Sequence, residues 1–237
     1  MDMKDVLAAV GLTDGGTLEK MERYHALLLE WNQKMDLTSV SEQDMAARHF
    51  LDSLLPLREE GLFPEDAALI DVGTGAGFPG LPLAIARPDL KVTLLEAQGK
   101  RCAFLRAVKD ALALPNVVIL NDRAEIAGQS PALREQFDIA AARAVAPLPV
   151  LCEYLLPFVR QGGKMLCWKG PAVRQEMEDG AYAARLVGGT LGALREMRLP
   201  GEDSGHVLAV AEKTGKTHRQ YPRKNGIPAK RPLKKEK

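Results

Sequence analysis

Three glycines follow a short apolar run near residue 70, at a spacing that suits a ligand-binding turn. The run Ala67–Ile70 leads into Asp-Val-Gly-Thr-Gly-Ala-Gly at residues 71–77, and a second run, Val92–Leu95, ends in Glu96. Glycine allows positive φ angles and lets a backbone approach a ligand closely. A carboxylate at the end of the second strand can accept hydrogen bonds from both hydroxyls of a ribose. The alternative is a tight turn that binds no ligand, with Glu96 as a solvated strand end. The occurrence of the strand, the glycine loop and Glu96 together disfavours this alternative.

The glycine spacing decides which nucleotide the turn suits. A dinucleotide fingerprint places its third glycine three residues after the second, but that position is Phe78 and the third glycine is Gly77. A nicotinamide-dependent oxidoreductase is therefore the weakest candidate. The pattern resembles motif I of the class I S-adenosylmethionine methyltransferases. This resemblance implies that Gly73, Gly75 and Gly77 lie close to that cofactor, which has no pyrophosphate to bind.

Alternation of apolar runs with helical stretches sets the predicted fold. We expect a Rossmann-like, doubly wound, mostly parallel seven-stranded sheet in residues 67–213, because strand–helix alternation gives parallel pairing with right-handed crossovers. A helical extension is expected over residues 1–66 and a basic tail over 214–237. The predicted strands are Leu69–Gly73, Val92–Ala97, Val117–Asn121, Ile139–Arg143, Lys164–Lys169, Thr190–Met197 and Val207–Glu212. The last two should form an antiparallel hairpin through a turn at residues 200–203, a feature of the methyltransferase variant of the fold.

The N-terminal extension shows helical periodicity. Apolar residues recur every three or four positions between Leu18 and Met35, and Thr17 is a plausible N-cap. A second helix is expected from Glu42 to about Glu59, with Ser41 as its cap. Within this helix, His49 either faces the crevice of the sheet or, as we favour, has a structural role.

Charge is distributed unevenly along the chain. From Lys213 to the C-terminus there are ten Lys or Arg and one acid, whereas the other 212 residues hold 22 bases and 30 acids. An acidic body with a strongly basic tail favours a polyanionic partner, and a solvated, disordered end is the alternative. Turn-forming residues between the charges, such as Pro222 and Gly226, argue against a simple polylysine tag.

Polar residues at the ends of the later strands are candidates for the site. The loop after the third strand carries Asp122, Arg123 and Glu125. The resemblance to class I methyltransferases implies that this loop lies against the adenine, so Asp122 or Glu125 could accept a hydrogen bond from its amine; a merely charged loop is an equal alternative. Arg143 ends the fourth strand, at the edge where α/β sheets bind ligands. Lys169 ends the fifth strand beside Trp168, an aromatic side chain on which a base could stack.

The sequence gives little support for a nucleophilic cysteine or for a metal site. The cysteines Cys102, Cys152 and Cys167 are far apart and lie in apolar segments, which predicts small core side chains and no metal spacing. The Pro-Cys pair of cytosine C5 methylases and the Asn-Pro-Pro-Tyr motif of amine methylases are both absent from the sequence. With no 18-residue apolar stretch and no signal-peptide layout at the start, we expect a reduced, cytoplasmic protein with no membrane association.

Several longer segments make a closer resemblance. The chain resembles the ribosomal RNA small subunit methyltransferase G family, also called glucose-inhibited division protein B. The matching segments are Trp31–Thr38, His49–Leu54, Asp71–Pro82, Gly99–Arg101 with Phe104 and Leu105, Arg123–Glu125, Ala142–Ala144 and Tyr221–Pro228. They span nearly the whole chain, and the Phe-Pro-Gly-Leu-Pro and Tyr-Pro-Arg-Lys stretches are much more specific than motif I.

The resemblance implies methylation of N7 of a guanine in 16S rRNA with S-adenosyl-L-methionine as the cofactor. The implied cofactor-binding residues are Gly73, Gly75, Gly77, Phe78, Glu96, Ala97, Ala124, Glu125 and Arg143. Arg143 and Lys169 are candidates for positioning, and Arg123, Lys169, Arg223 and Lys224 for RNA binding. The expected partner is 16S rRNA or the small ribosomal subunit, with no metal, and the protein is expected to be a monomer.

The chain departs from the family at two places. The family has Asn-Leu-Thr where this chain has Asp36-Leu37-Thr38, so the role of Asp36 is open. It has Asp-Ser where this chain has Glu96-Ala97, and Glu96 keeps the carboxylate. A methyltransferase acting on a protein or a small molecule, and a non-catalytic protein that binds S-adenosylmethionine or RNA, are the alternative classes.

Overall fold

A central sheet organises the molecule in the computed structural model, which describes residues 1–199 and 205–235. The strands are β1 Ala68–Val72, β2 Lys91–Leu95, β3 Val117–Leu120, β4 Phe137–Arg143, β5 Val159–Lys169, β6 Gly189–Leu191, β7 Arg195–Met197 and β8 His206–Lys213. Their order is β3-β2-β1-β4-β5-β8-β6, with β7 also paired to β8. The first five strands are parallel and β8 runs antiparallel to its neighbours.

The predicted doubly wound sheet is confirmed, with one difference at its edge. The strand expected over Thr190–Met197 is divided into β6 and β7, which occupy the same edge of β8. Leu191 pairs with Ala211 and Arg195 with Leu208, so three intervening residues face two on β8. One extra residue is a β-bulge, which interrupts the ladder and bends the strand. The turn expected at residues 200–203 lies outside the described residues.

Helices cover both faces of the sheet. They are α1 Met3–Ala9, α2 Gly15–Asn32, α3 Glu42–Met45, α4 Asp52–Leu54, α5 Gly80–Ala86, α6 Gly99–Ala111, α7 Ala124–Ala127, α8 Leu148–Leu155, α9 Met177–Leu186 and α10 Ile227–Lys230. Alternate strand residues point to opposite faces. Ile139 and Ala141 therefore join the core beneath the N-terminal helices, whereas Ala140 and Ala142 pack with α8 and α9.

Two of the expected N-terminal helices differ from our expectation, the first in its N-cap and the second in its helix type. Asp14, and not Thr17, caps α2, because its side chain accepts a hydrogen bond from the Thr17 amide. The helix expected from Glu42 to about Glu59 changes type along its length: α3 leads into a π-helical segment, Ala46–Leu51, then α4, then a 3₁₀ turn. Single turns of π-helix are frequent at functional sites, and His49 lies within this one.

The basic tail is packed on the core as far as residue 235. Arg134 donates to the carbonyls of Thr217 (2.8 Å) and Tyr221 (2.7 Å), and Gln129 donates to that of Pro222 (2.7 Å). At the start of the tail, the buried Lys213 ammonium lies 2.9 Å from Glu135. The tail is therefore an ordered part of the fold, and the alternative of a solvated, disordered end does not hold for its described residues.

Candidate active site

The glycine loop between β1 and α5 is held from both sides. Gly73, Gly75 and Gly77 have φ angles of +70°, +60° and +101°, a region that side chains rarely adopt. From below, Asp71 Oδ2 accepts from the Thr74 hydroxyl (2.6 Å) and the Gly80 amide (2.8 Å). A Cβ added to Gly77 would lie 2.9 Å from the hydroxyl of Tyr24, from the N-terminal extension. The loop thus has little freedom to move.

Glu96 organises the same loop from β2. Its carboxylate is almost fully buried and accepts from the amides of Gly75 (3.0 Å) and Gln98 (2.8 Å). The solvated strand end that was the alternative for Glu96 is therefore wrong. Each carboxylate oxygen has a second lone pair, so binding a ligand hydroxyl is compatible with these contacts.

Three adjoining cavities follow the carboxyl ends of the strands. The strand-edge cavity, about 270 Å³, is lined among others by Gly73, Glu96, Ala97, Ala124 and Glu125. The loop cavity, about 210 Å³, is lined among others by Thr38, His49, Gly73, Phe78, Arg101 and Arg143. The tryptophan cavity, about 340 Å³, is lined among others by Arg48, Asp52, Arg143, Trp168, Lys169 and His206. Shared lining residues connect the three into one cleft.

Arg143 joins the N-terminal extension to the end of β4. Its Nη1 donates to the main-chain carbonyls of Arg48 (3.1 Å) and His49 (3.3 Å) and to Asp52 Oδ2 (3.1 Å). Its guanidinium carbon lies 4.8 Å from the centre of the Phe78 ring. The sequence placed this residue at the crevice, and the structure shows that its charge is balanced inside the protein by Asp52. Its cofactor-binding role stays a prediction.

His49 is held as a neutral ring. Burial, together with the Arg143 charge, lowers its pKa to about 3. Arg143 can only donate, so Nδ1 of His49 accepts from Arg143 Nη2 (3.0 Å) and Nε2 carries the proton toward the Thr38 hydroxyl (2.7 Å). The ring also stacks on Phe78 at 4.6 Å. His49 thus has both of the roles between which the sequence left a choice: it lines the cleft, and its contacts with Thr38, Arg143 and Phe78 are structural.

Lys169 also lies on the cleft with its charge paired. Its ammonium donates to the Ala146 carbonyl (3.1 Å) and forms an ion pair with Glu176 (3.0 Å). Trp168 beside it donates from its indole to the Asp52 carbonyl (2.8 Å), which fixes that ring as part of the wall. Roles of Lys169 in positioning or in RNA binding stay predictions.

The other predicted RNA-binding residues are placed differently from one another. Arg123 and Lys224 are exposed near the strand-edge cavity. Arg223 instead donates from its backbone and its guanidinium to the fully buried Glu153 (2.7–3.1 Å). Its contacts in the structure are therefore structural, and RNA contact by Arg223 stays a prediction. Asp36, whose role was open, is exposed beyond α2.

The cysteines are buried, as the sequence predicted. Burial raises the pKa of Cys167 to about 12 and raises that of Cys152 well above the usual range. Cys102 is also buried and its thiol faces the Glu96 carbonyl at 3.4 Å. None of these thiols is therefore suited to act as a thiolate nucleophile at neutral pH.

Sequence reasoning missed four residues that shape the cleft. They are Tyr24, Thr38, Asp52 and Gly226. The Tyr24 hydroxyl donates to the Ala76 carbonyl (2.5 Å), 52 residues away in sequence. Such long-range contacts leave no periodic signal. The signal available in the sequence was local, since Thr38, Asp52 and Gly226 lie inside three of the segments that match the family.

Asp71 should give the protein an unusual pH dependence. Burial raises its pKa to about 6, whereas an unfolded Asp titrates near 4. The folded state therefore binds this proton more tightly, so its stabilising effect is complete below about pH 4 and is lost as the pH rises through 6. We expect the difference in unfolding free energy between Asp71→Asn and the unmodified protein to change by on the order of 2 kcal/mol between pH 4.5 and 7.

Urea unfolding at the two pH values measures this change. Asp89→Asn is the matched control, because the hydrogen bond from Arg87 lowers the pKa of Asp89 and moves its transition below this window. The Asp89→Asn difference should stay constant. An equally constant difference for Asp71→Asn would contradict a raised pKa.

These features define a class of protein. A sheet of order 3-2-1-4-5 continued by an antiparallel strand, with a glycine loop after β1 and a carboxylate after β2, is the framework of a class I S-adenosylmethionine-dependent methyltransferase. A 16S rRNA (adenine(1408)-N(1))-methyltransferase from Catenulisporales acidiphilia has the same fold, with a TM-score of 0.51 and 16% identity over 65% of this chain and 88% of that chain.

Sequence comparison defines the family. The model for rRNA small subunit methyltransferase G matches residues 17–196. The ribosomal RNA small subunit methyltransferase G of Alkaliphilus metalliredigens is 44% identical over 99% of this chain and 98% of its own length. The protein of the same name from Leuconostoc citreum is 46% identical over 95% of each chain. The chain belongs to the rRNA small subunit methyltransferase G family.

Membrane-spanning helices and clusters of metal ligands are both absent from residues 1–199 and 205–235. Within those residues, none of the helices has the length and apolar character needed to cross a bilayer. The same residues contain no group of three or more His, Cys, Asp or Glu side chains that could hold a metal ion.

Proposed function

We propose that this protein transfers a methyl group from S-adenosylmethionine to N7 of a guanine in 16S rRNA. The observation that carries the proposal is that the cofactor cleft opens, past Arg143 and His49, into the tryptophan cavity, where His49 and Asp52 are both engaged by other side chains. His49 is neutral with Nδ1 engaged, and Asp52 is bound by both Arg143 and His206. Guanine N7 carries a lone pair and no proton, so its methylation needs no general base.

The residues present fit the cofactor. Gly73 would meet Val145 at 3.0 Å if it carried a Cβ, so the loop forms a cradle that a side chain would fill. Gly73, Gly75, Gly77 and Glu96 would hold the cofactor from the loop and from β2. On the other side of the cavity, Ala97, Ala124 and Glu125 would contact it, with Phe78 and Arg143 at the loop cavity.

Positioning is the main task left to the protein. When bound, S-adenosylmethionine supplies an electrophilic methyl group on a sulfonium, which an aligned lone pair can take directly. Arg143 and the His49–Phe78 stack fix the wall between the cavities, and rigid walls hold reacting atoms in line. Because Asp52 balances the Arg143 charge, the wall is less repulsive to a guanine ring that becomes cationic. A cation in direct contact with that ring would still oppose the reaction, so we expect Arg143 and Lys169 to contact phosphate, O6 or the cofactor carboxylate and not N7.

The substrate also sets the surroundings in which the protein would work. The target base would have to leave its stack to reach the cleft, and exposed cations such as Arg123 and Lys224 would contact phosphates, which makes affinity salt-dependent. An enzyme acting on the small ribosomal subunit would work in the cytoplasm. We propose that it acts as a monomer.

Methyl transfer with labelled cofactor tests the proposal. We expect tritium from S-adenosylmethionine to enter small-subunit rRNA, offered naked or as particles, and to appear as 7-methylguanosine after digestion. Large-subunit rRNA is the matched control and should stay unlabelled. Cofactor binding without labelled RNA would contradict the proposal and direct the search to protein or small-molecule acceptors.

A further inference from the structure

The basic tail reaches the cavity assigned to the cofactor. Asn225, Gly226 and Ala229 line the strand-edge cavity together with Gly73, Glu96 and Glu125. Residues 222–230, which we call the tail segment and which include α10, thus supply a wall that neither the sheet nor helices α1–α9 provide. A cofactor held by Glu96 and Glu125 would be enclosed by this wall.

Specific contacts hold the tail segment in place. The amide of Gly226 donates to Glu125 Oε1 (2.8 Å), and the Tyr154 hydroxyl reaches the same oxygen at 3.4 Å. Arg223 is bound to the buried Glu153 of α8. Glu125 is itself a lining residue of the cavity, so one carboxylate both faces the cofactor site and fixes the tail.

The same segment presents unengaged cations. Lys224 and Lys230 are exposed, and their ammonium groups have no hydrogen-bond or ion-pair partner in residues 1–199 and 205–235. They flank Gly226 in sequence on either side. Phosphates bound by these two residues would restrain the segment in the position that closes the cavity.

We propose that the tail segment is part of the cofactor site and couples it to RNA. RNA phosphates at Lys224 and Lys230 hold Gly226 against Glu125, and this raises the affinity for the cofactor. Coupling between two binding sites is reciprocal, so bound cofactor raises the affinity for RNA by the same factor. The identity of the two ligands rests on the proposed function, but the place of the tail in the cofactor site does not.

A pair of glycine substitutions tests the wall without RNA. Gly226 and Gly11 both have φ of +76° and nothing within 4 Å of an added Cβ. Both alanine variants should therefore have the same backbone strain at a positive φ. Relief of that strain displaces the amide that donates to Glu125 only in Gly226→Ala. We expect calorimetry to show cofactor affinity at least about fivefold weaker in Gly226→Ala and unchanged in Gly11→Ala. Equal affinities in the two variants would overturn the assignment of the wall.

The coupling is tested by cofactor affinity with and without saturating small-subunit rRNA. We expect RNA to strengthen cofactor binding at least about fivefold in the unmodified protein, and little in Lys224→Ala/Lys230→Ala. Lys4→Ala/Lys216→Ala removes the same charge from exposed positions outside the segment and should keep the full ratio. An RNA effect absent from the unmodified protein, or retained in Lys224→Ala/Lys230→Ala, would overturn the coupling. If RNA receives no methyl group, the proposed function fails while the glycine comparison stands.

Discussion

Arg143→Ala should lower methyl transfer by about 100-fold or more, because small displacements of positioning groups have effects of that size. The guanidinium fixes two main-chain carbonyls, Asp52 and the His49 ring at once. Without it the Phe78–His49 stack loses its cationic neighbour and the π-helical segment loses its connection to β4. The loss should appear in both kcat and cofactor affinity, since Arg143 lines the loop and tryptophan cavities.

The same change should destabilise the fold. The side chains of Arg143 and Asp52 are only 13% and 4% exposed, and removing one member of a buried pair leaves an uncompensated charge, at a cost of about 3 kcal/mol. His206, which also contacts Asp52 at 2.9 Å, makes the lower end of the usual range the expected value. Arg160→Ala is the matched control: its ion pair with Asp138 is half exposed, and its loss should cost less than about 1 kcal/mol.

Lysine at position 143 separates charge from geometry. Arg143→Lys keeps the charge near Asp52, so urea unfolding should recover most of the lost stability. A single ammonium does not reproduce the planar fork that reaches several acceptors, so methyl transfer should stay low. Recovery of full activity by lysine, with the kinetics of the unmodified protein, would show that the charge alone matters and that the network does not position the cleft.

Local signals in the sequence predicted the sheet and the loop well. Positive φ angles at Gly73, Gly75 and Gly77 follow from residue type and spacing, and parallel strands follow from strand–helix alternation. The bulge that divides the edge strand near Gly192 was not predictable, since one extra residue opposite β8 depends on the partner strand. The cap of α2 was predicted three residues late because Asp14 and Thr17 are both good capping residues, and the sequence alone does not show which of them begins the helix.

The arrangement around the cleft could be predicted only in part. Residue type placed Arg143, Lys169 and Glu96 at the ends of strands, where ligands bind. Their partners are far away in sequence: Arg143 contacts Arg48 and His49 of the π-helical segment, more than 90 positions earlier. Charge counting suggested a polyanion-binding tail but did not show that Arg223 is used inside the fold. A basic residue in a charged segment can still be a structural one.

Arg223→Ala should detach the tail from the core. Glu153 is fully buried, and Arg223 supplies its guanidinium contacts as well as a backbone donor. Leaving this carboxylate unpaired costs about 3 kcal/mol or more, and the protein can avoid that cost by releasing the segment and admitting water. We expect amide hydrogen exchange between residues 217 and 231 to accelerate about 100-fold, which corresponds to that free energy at about 1.4 kcal/mol per tenfold change.

Two comparisons make this result specific. Lys224→Ala removes the same charge from the neighbouring exposed position and should leave exchange in the tail unchanged. Glu153→Leu/Arg223→Met replaces both charges of the buried pair with apolar side chains of similar volume, a change that is often tolerated, so it should restore most of the protection. Since Gly226 lies in the released segment, cofactor affinity should weaken in Arg223→Ala and recover in the double variant. Fast exchange in Lys224→Ala or in the double variant as well would mean that the unpaired charge of Glu153 is not what releases the tail. Unchanged protection in Arg223→Ala would mean that contacts such as those of Arg134 and Gln129 hold the tail without the Glu153 pair.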